Sequence, residues 1–195
     1  MKSVDIPGIR LITVSGRIAS GSTTLARQLS KILDWKHLEG GAIFWDPLKE
    51  KLGVEDKDTN MRLDKDDLDF DASLKKILKE GKNLVVETKL AAFNALGVDG
   101  VYKILVVCND DKGTDQTQIR IDRLANRKKI SIKEAKKEIL EREKNDLKKW
   151  QKLYASGDKS WVYWDKKYYD LIINTYSHDQ KASLKIVLDK IGYKK

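Results

Sequence analysis

The chain is 195 residues long, 41% apolar and 35% charged, a balance that reads as one soluble globular domain able to bury a core without disulfides or a structural metal. No run approaches the ~18 consecutive apolar residues needed to span a bilayer, and Met1–Pro7 has neither the basic nor the apolar region of a secretory leader, so a cytoplasmic chain without membrane attachment is expected. The net charge of +9 favours polyanions such as nucleotides or nucleic acid, or simply solubility, and it is unevenly spread: Arg127–Lys152 holds eleven Lys or Arg against five Asp or Glu, whereas Asp64, Asp66, Asp67, Asp69 and Asp71 form an acidic counterpart.

In chain order, the apolar run Ile9–Val14 predicts a buried strand. It leads into Gly16-Arg17-Ile18-Ala19-Ser20-Gly21-Ser22-Thr23, a G-x-x-x-x-G-K-[ST] loop with serine where the lysine belongs. Leu25, Leu29, Ile32 and Leu33 then recur at helical spacing, and a weak strand follows near Lys36–Leu38. A short helix is expected over Asp71–Lys79, with Gly81 placed to stop it, and a strand over Leu84–Val86. Lys103–Cys108 is a further strand whose end buries the single cysteine. A helix through Gln116–Lys128 would set Arg120, Arg123 and Arg127 on one face, since i, i+3 and i+7 are neighbours there. Ser131-Ile132-Lys133-Glu134 is a capping box that opens a long basic amphipathic helix running to Gly157. Leu171–Ile173 predicts the last strand, and Leu184, Val187, Leu188 and Ile191 the last helix.

Five short apolar strands alternating with helices define an α/β fold with a parallel sheet, and the segments 40–80 and 125–160 read as insertions on one core. The loop carries the chemistry. Successive backbone N–H groups curl around an anion at a helix N-terminus, where the helix dipole also favours negative charge. Gly16 and Gly21 allow the turn and the close approach, and Thr23 stands where a hydroxyl ligates Mg²⁺. Without lysine, another cation must span the β- and γ-phosphates. Arginine forks suit that task, and Arg120, Arg123, Arg127 and Arg142 are the candidates. Glu87 ends a strand at the edge of the sheet where ligands collect, where it can hold Mg²⁺ through water or orient the accepting phosphate, or equally cap a helix or form a salt bridge. His37 and His178 are expected to be structural or exposed, and the aromatics of Trp161–Trp164 to pack rather than to stack on ligand. Lys136, Lys137, Lys144 and Lys148 alternate with Glu138, Glu141, Glu143 and Asp146, a mixture that argues against a nucleic-acid stripe.

With the loop, Glu87-Thr88-Lys89-Leu90-Ala91, Arg123-Leu124-Ala125-Asn126-Arg127 and Asp170-Leu171-Ile172-Ile173-Asn174-Thr175 in view, the chain resembles the archaeal type of cytidylate kinase over nearly its whole length. The resemblance implies a P-loop kinase fold, a five-stranded parallel sheet flanked by helices, with a monophosphate-binding segment at about 40–80 and a lid at about 125–160. It implies transfer of the ATP γ-phosphate, with Mg²⁺, to CMP or dCMP by a monomer. A small hydroxyl residue in place of the loop lysine is similar to that branch of the family. Carried over by position, Gly16, Ser20, Gly21, Ser22, Thr23 and Thr24 match the ATP-phosphate loop, with Thr23 at the metal. Arg123, Arg127 and Arg142 match catalytic arginines of the lid. Phe44, Trp45, Glu87, Lys89 and Asp170 form the expected substrate-binding set.

Two positions depart from the pattern on the acceptor side. Trp45 replaces an arginine, which removes charge and offers a ring able to stack on a base, and Lys89 replaces another, which keeps the charge but loses the fork. The residues alone leave open a different nucleotide or small acceptor, and a catalytically degenerate P-loop protein that binds nucleotide or RNA.

Overall fold

The computed structural model describes residues 3–45, 50 and 63–194. Five parallel strands are ordered β2-β3-β1-β4-β5: β1 Leu11–Gly16, β2 Lys36–Glu39, β3 Leu84–Glu87, β4 Val101–Val107 and β5 Leu171–Asn174. All pairings are parallel, and Val14 of β1 lies level with Glu87 of β3 and with Ile104 of β4. Central β1 is buried throughout because its neighbours and both helical layers cover it. The expected strand over Ile9–Val14 begins two residues later than its apolar run, since the Ile9 N–H closes a turn onto the Ile6 carbonyl at 3.0 Å.

One face of the sheet is covered by α1 (Ser22–Leu33) and α6 (Gln180–Lys190), whose Leu25, Leu29, Leu33, Val187 and Ile191 meet Ile12, Val14 and Ile104. The opposite face carries α2 (Asp64–Glu80) and the single-turn α3 (Ala91–Asn94), where Leu74, Leu78, Ala91 and Ala95 meet Leu11 and Val86. The period-two alternation of β1 therefore feeds two cores at once. Beyond the sheet, α4 (Thr117–Lys128) and α5 (Ile132–Tyr154) pack on each other and on Ile18 of the loop. Ser131 caps α5 as its sequence requires, accepting from the Glu134 N–H at 3.2 Å while its own N–H donates to the Glu134 carboxylate at 2.8 Å. Cys108 is buried just beyond β4.

Helix α2 starts seven residues earlier than its apolar pattern suggested. Tertiary pairing explains the extension: Asp64 meets Lys152 at 2.9 Å, Asp67 meets Lys149 at 2.7 Å, and Asp71 accepts from Tyr154, so the acidic stripe of α2 faces the basic and aromatic side of α5. Acidic side chains in a helix's first turn also complement its dipole. A short π-helical turn, Gly41–Trp45, follows β2, and the side chain of Trp45 and residues 46–49 and 51–62 of the expected monophosphate segment lie outside the described residues.

Arg10 fastens the sheet to α2. Its guanidinium donates to the carbonyls of Leu78 and Gly81 at the end of α2, both at 2.5 Å, and its Nε donates to that of Asp99 at 3.0 Å. Charge-assisted bonds to otherwise unsatisfied helix-end carbonyls stabilise by about 2 kcal/mol. Arg10→Ala is expected to lower unfolding stability by that amount in a denaturant titration, and a loss below about 0.5 kcal/mol, ordinary for a surface change, would contradict it.

Candidate active site

The loop between β1 and α1 is shaped by contacts that its glycines alone permit. A Cβ on Gly16 would stand 2.4 Å from Ser20 Oγ and 2.9 Å from the Val106 carbonyl, and Gly21 adopts φ 110° with Thr175 Cγ2 3.2 Å from where a Cβ would lie. Ala19 also holds a left-handed φ of 61°, a strained state for a residue with a Cβ that surrounding structure must enforce. Ser20 Oγ is buried with no hydrogen-bond partner among the described residues.

The enforcing contacts come from α4 and α5. Glu143 Oε1 accepts from the Ile18 N–H at 3.0 Å and from Arg120 at 2.7 Å, while its Oε2 accepts from Arg17 at 2.7 Å. Arg120 donates in turn to the Ile18 carbonyl at 2.8 Å, so both backbone polar atoms of that loop residue are held. Asp115 completes the charge balance, meeting Arg120 at 2.9 Å and Arg17 at 3.2 Å. Arg120 is 0% exposed. It therefore braces the loop, and does not join a phosphate-facing row with Arg123 and Arg127. Burial pushes the Glu143 carboxyl up, but the two guanidinium partners outweigh it and hold the group below the usual range.

The residue in the lysine position has its own partner. Ser22 Oγ donates to Glu87 Oε1 at 2.9 Å, and Thr23 Oγ1 donates to the same oxygen at 3.3 Å. Burial pushes the Glu87 carboxyl up, partly offset by these hydroxyls. β1 and β3 are neighbours, so the strand ends bring loop and carboxylate together.

Two clefts open on either side of the loop. The first, about 450 Å³, runs from Gly16, Ser22 and Thr23 past Glu87, Lys89 and Arg142 to Phe44, Asp67, Phe70 and Asp71. The second, about 400 Å³, lies between Gly21, Thr24 and Gln28 on one side and Arg123, Thr175, His178 and Asp179 on the other. Ala19, Thr24 and Arg127 line both. Each volume suits a nucleoside-sized ligand. Arg127 is exposed where the two meet.

The expected residues divide accordingly. Gly16, Ser22, Thr23, Thr24, Phe44, Glu87, Lys89, Arg127 and Arg142 share the first cleft. Arg123 faces the second, where its guanidinium donates to the Thr175 hydroxyl and carbonyl, both at 2.8 Å, fixing the turn after β5 against the loop. Lys89 is held at 2.6 Å by Asp146 and lies 5.6 Å from the Trp150 ring centroid; burial lowers its pKa against the pull of Asp146. Asp170 does not join the site. It precedes β5 at the opposite edge of the sheet and is bound by the Lys103 N–H at 2.8 Å and ammonium at 3.0 Å. His178 is part of the second cleft, whereas Trp161 and Tyr163 are buried with Trp150 and Leu90, as the packing reading of that region requires. The roles of Arg17, Glu143 and Thr175 were not visible in the sequence, since each pairs with residues more than fifty positions away.

No family model matches the chain. It is 32% identical over 184 residues to a cytidylate kinase of Haloarcula marismortui, covering 93% of this chain and 88% of that protein. It is 30% identical over 197 residues to a cytidylate kinase of Methanopyrus kandleri, covering 93% and 94%. Among solved structures, a shikimate kinase of Bacteroides thetaiotaomicron superimposes with a TM-score of 0.57 at 14% identity over 94% of this chain and 98% of that one, which bears on the fold alone.

Replacing Glu143 by Gln leaves the buried Arg120 and the half-buried Arg17 under-compensated, a loss of about 3 kcal/mol. Because the folded-state pKa is depressed, the contribution is complete above the unfolded carboxylate pKa and is lost as pH falls through the folded value. Urea unfolding of wild type and Glu143→Gln is expected to differ by that amount at neutral pH and to converge in acid, and a difference that persists undiminished in acid would contradict the ion-pair assignment.

Proposed function

The chain belongs to the cytidylate kinase family, and from that premise we propose that it transfers the γ-phosphate of ATP to CMP, with dCMP as a second acceptor. The observation that carries the reading is the pair of clefts sharing one phosphate loop, with Thr24 and Arg127 lining both. A phosphoryl group passing between two nucleotides needs such a shared wall, since transfer is largely positioning and charge neutralisation with no protein nucleophile.

In this reading ATP places its base in the second cleft, against Arg123 and the Thr175–Asp179 turn, and its phosphates over the loop. Loop N–H groups from Gly21 to Thr24 cradle the β-phosphate. Ser22 and Thr23 converge with Glu87 on hard oxygen donors, the type that Mg²⁺ takes together with substrate phosphates. A Mg²⁺ held by these oxygens would neutralise phosphate charge. Arg127 and Arg142 supply the cationic charge that the missing lysine would have given, and Lys89 faces the acceptor phosphate from the floor of the first cleft. The segment at about 125–160 acts as the lid, held to the loop at its middle by Glu143.

Arg127→Ala is expected to reduce kcat at least ~100-fold, the scale of one lost charge-stabilising donor, with stability unchanged because Arg127 is exposed. A near-wild-type rate would overturn its role. Coupled ADP-release assays with ATP, Mg²⁺ and each nucleoside monophosphate are expected to show turnover with CMP, and no turnover with any of them would overturn the proposed function.

A further inference from the structure

The far end of the first cleft has a composition that the phosphate chemistry does not use. Phe44 and Phe70 stand with ring centroids 4.5 Å apart at 45°, a wall suited to the face of a base. Beside them Asp67 and Asp71, both nearly buried, line the same cleft from successive turns of α2. The Asp71 carboxylate is fixed from two directions: Asn94 Nδ2 of α3 donates to Oδ1 at 3.0 Å, and the Tyr154 hydroxyl of α5 donates to Oδ2. Asn94 is 5% exposed, and its own Oδ1 is buried without a hydrogen-bond partner among the described residues.

Lys149 neutralises Asp67 at 2.7 Å and Trp150 Nε1 donates to it at 3.3 Å, whereas the donors that orient Asp71, Asn94 and Tyr154, are neutral. Burial, with Asp67 nearby, pushes the Asp71 carboxyl up against the Tyr154 and Asn94 hydrogen bonds. A ligand that brings an N–H donor is favoured here, and one that brings a carbonyl oxygen meets like charge.

We propose that Asp71 is a specificity-determining residue that reads the acceptor base, accepting a hydrogen bond from an exocyclic amine on the pyrimidine and rejecting a carbonyl at the same ring position. The inference rests on the function proposed above and names which pyrimidine it selects: the amino-bearing ring of CMP over the dicarbonyl ring of UMP. Orientation follows from the cleft itself. The acceptor phosphate must lie near the loop, Lys89 and Arg142, so the base extends to the end formed by Phe44, Phe70 and Asp71. A carboxylate held by two cross-bridging donors is oriented before ligand arrives, and such preorganised polar readout discriminates more strongly than an apolar pocket.

The test compares kcat/KM for CMP and UMP, at saturating ATP and Mg²⁺, in wild type and Asp71→Asn. The amide is nearly isosteric and presents a donor as well as an acceptor. The wild type is expected to prefer CMP, and Asp71→Asn to reduce the CMP:UMP ratio at least tenfold with the KM for ATP unchanged. Tyr154→Phe, which removes one of the orienting donors, is expected to reduce the ratio to a smaller extent and keeps the test open if Asp71→Asn fails to fold. A merely structural role would lower both acceptors together, so an unchanged ratio in the variants overturns the inference. Equal turnover of CMP and UMP by the wild type overturns it while leaving the kinase reading intact, whereas no turnover with any monophosphate overturns both.

Discussion

One buried carboxylate, Glu143, fixes the phosphate loop to the helices that close over it. Through it, a backbone amide of the loop, the loop's Arg17 and the fully buried Arg120 share a single charge-balanced cluster with Asp115. Each member alone would be costly: an unpaired guanidinium or carboxylate in that setting faces a desolvation penalty of several kcal/mol. Together they hold Ile18 by both its N–H and its carbonyl, which makes the left-handed Ala19 and the cradle beyond it tenable.

That constraint bears on the absent lysine. A loop lysine contributes a mobile point charge, but the anion-binding geometry resides in the backbone. Here the backbone is fastened from outside by Glu143 and Arg120, and from the far side by Arg123 and Thr175, whose hydroxyl donates to the Ser20 carbonyl at 2.6 Å. Ser22 is then free of the cationic role and ties the start of α1 to Glu87 on the neighbouring strand. Positive charge enters from α4 and α5 as Arg127 and Arg142, which line the first cleft.

Much of the fold was legible because its signals are local. Four of the five strands are apolar runs and β2, Lys36–Glu39, is the weak one, and the loop, the Ser131 cap and the apolar faces of α1 and α6 were read from spacing alone. What escaped the sequence is long-range. Arg120 looked like one more phosphate-facing arginine because helical spacing gives its face but not what lies opposite, and opposite it lies Glu143, twenty-three residues on. Asp64–Asp71 read as a polar stretch before a short helix, since no local rule shows that α5 supplies its partners. Asp170 adjoined a family-like strand, yet it precedes that strand, and in a parallel sheet the ligand edge lies at the other end.

Glu143 sets the shape of the ATP-binding loop without touching substrate. Calorimetric titration of ADP and of CMP into folded wild type and Glu143→Gln tests it most directly. ADP binding is expected to weaken about tenfold or more, some 1.4 kcal/mol, while CMP affinity stays within about twofold. Unchanged ADP affinity, or an equal loss for both nucleotides, would contradict it.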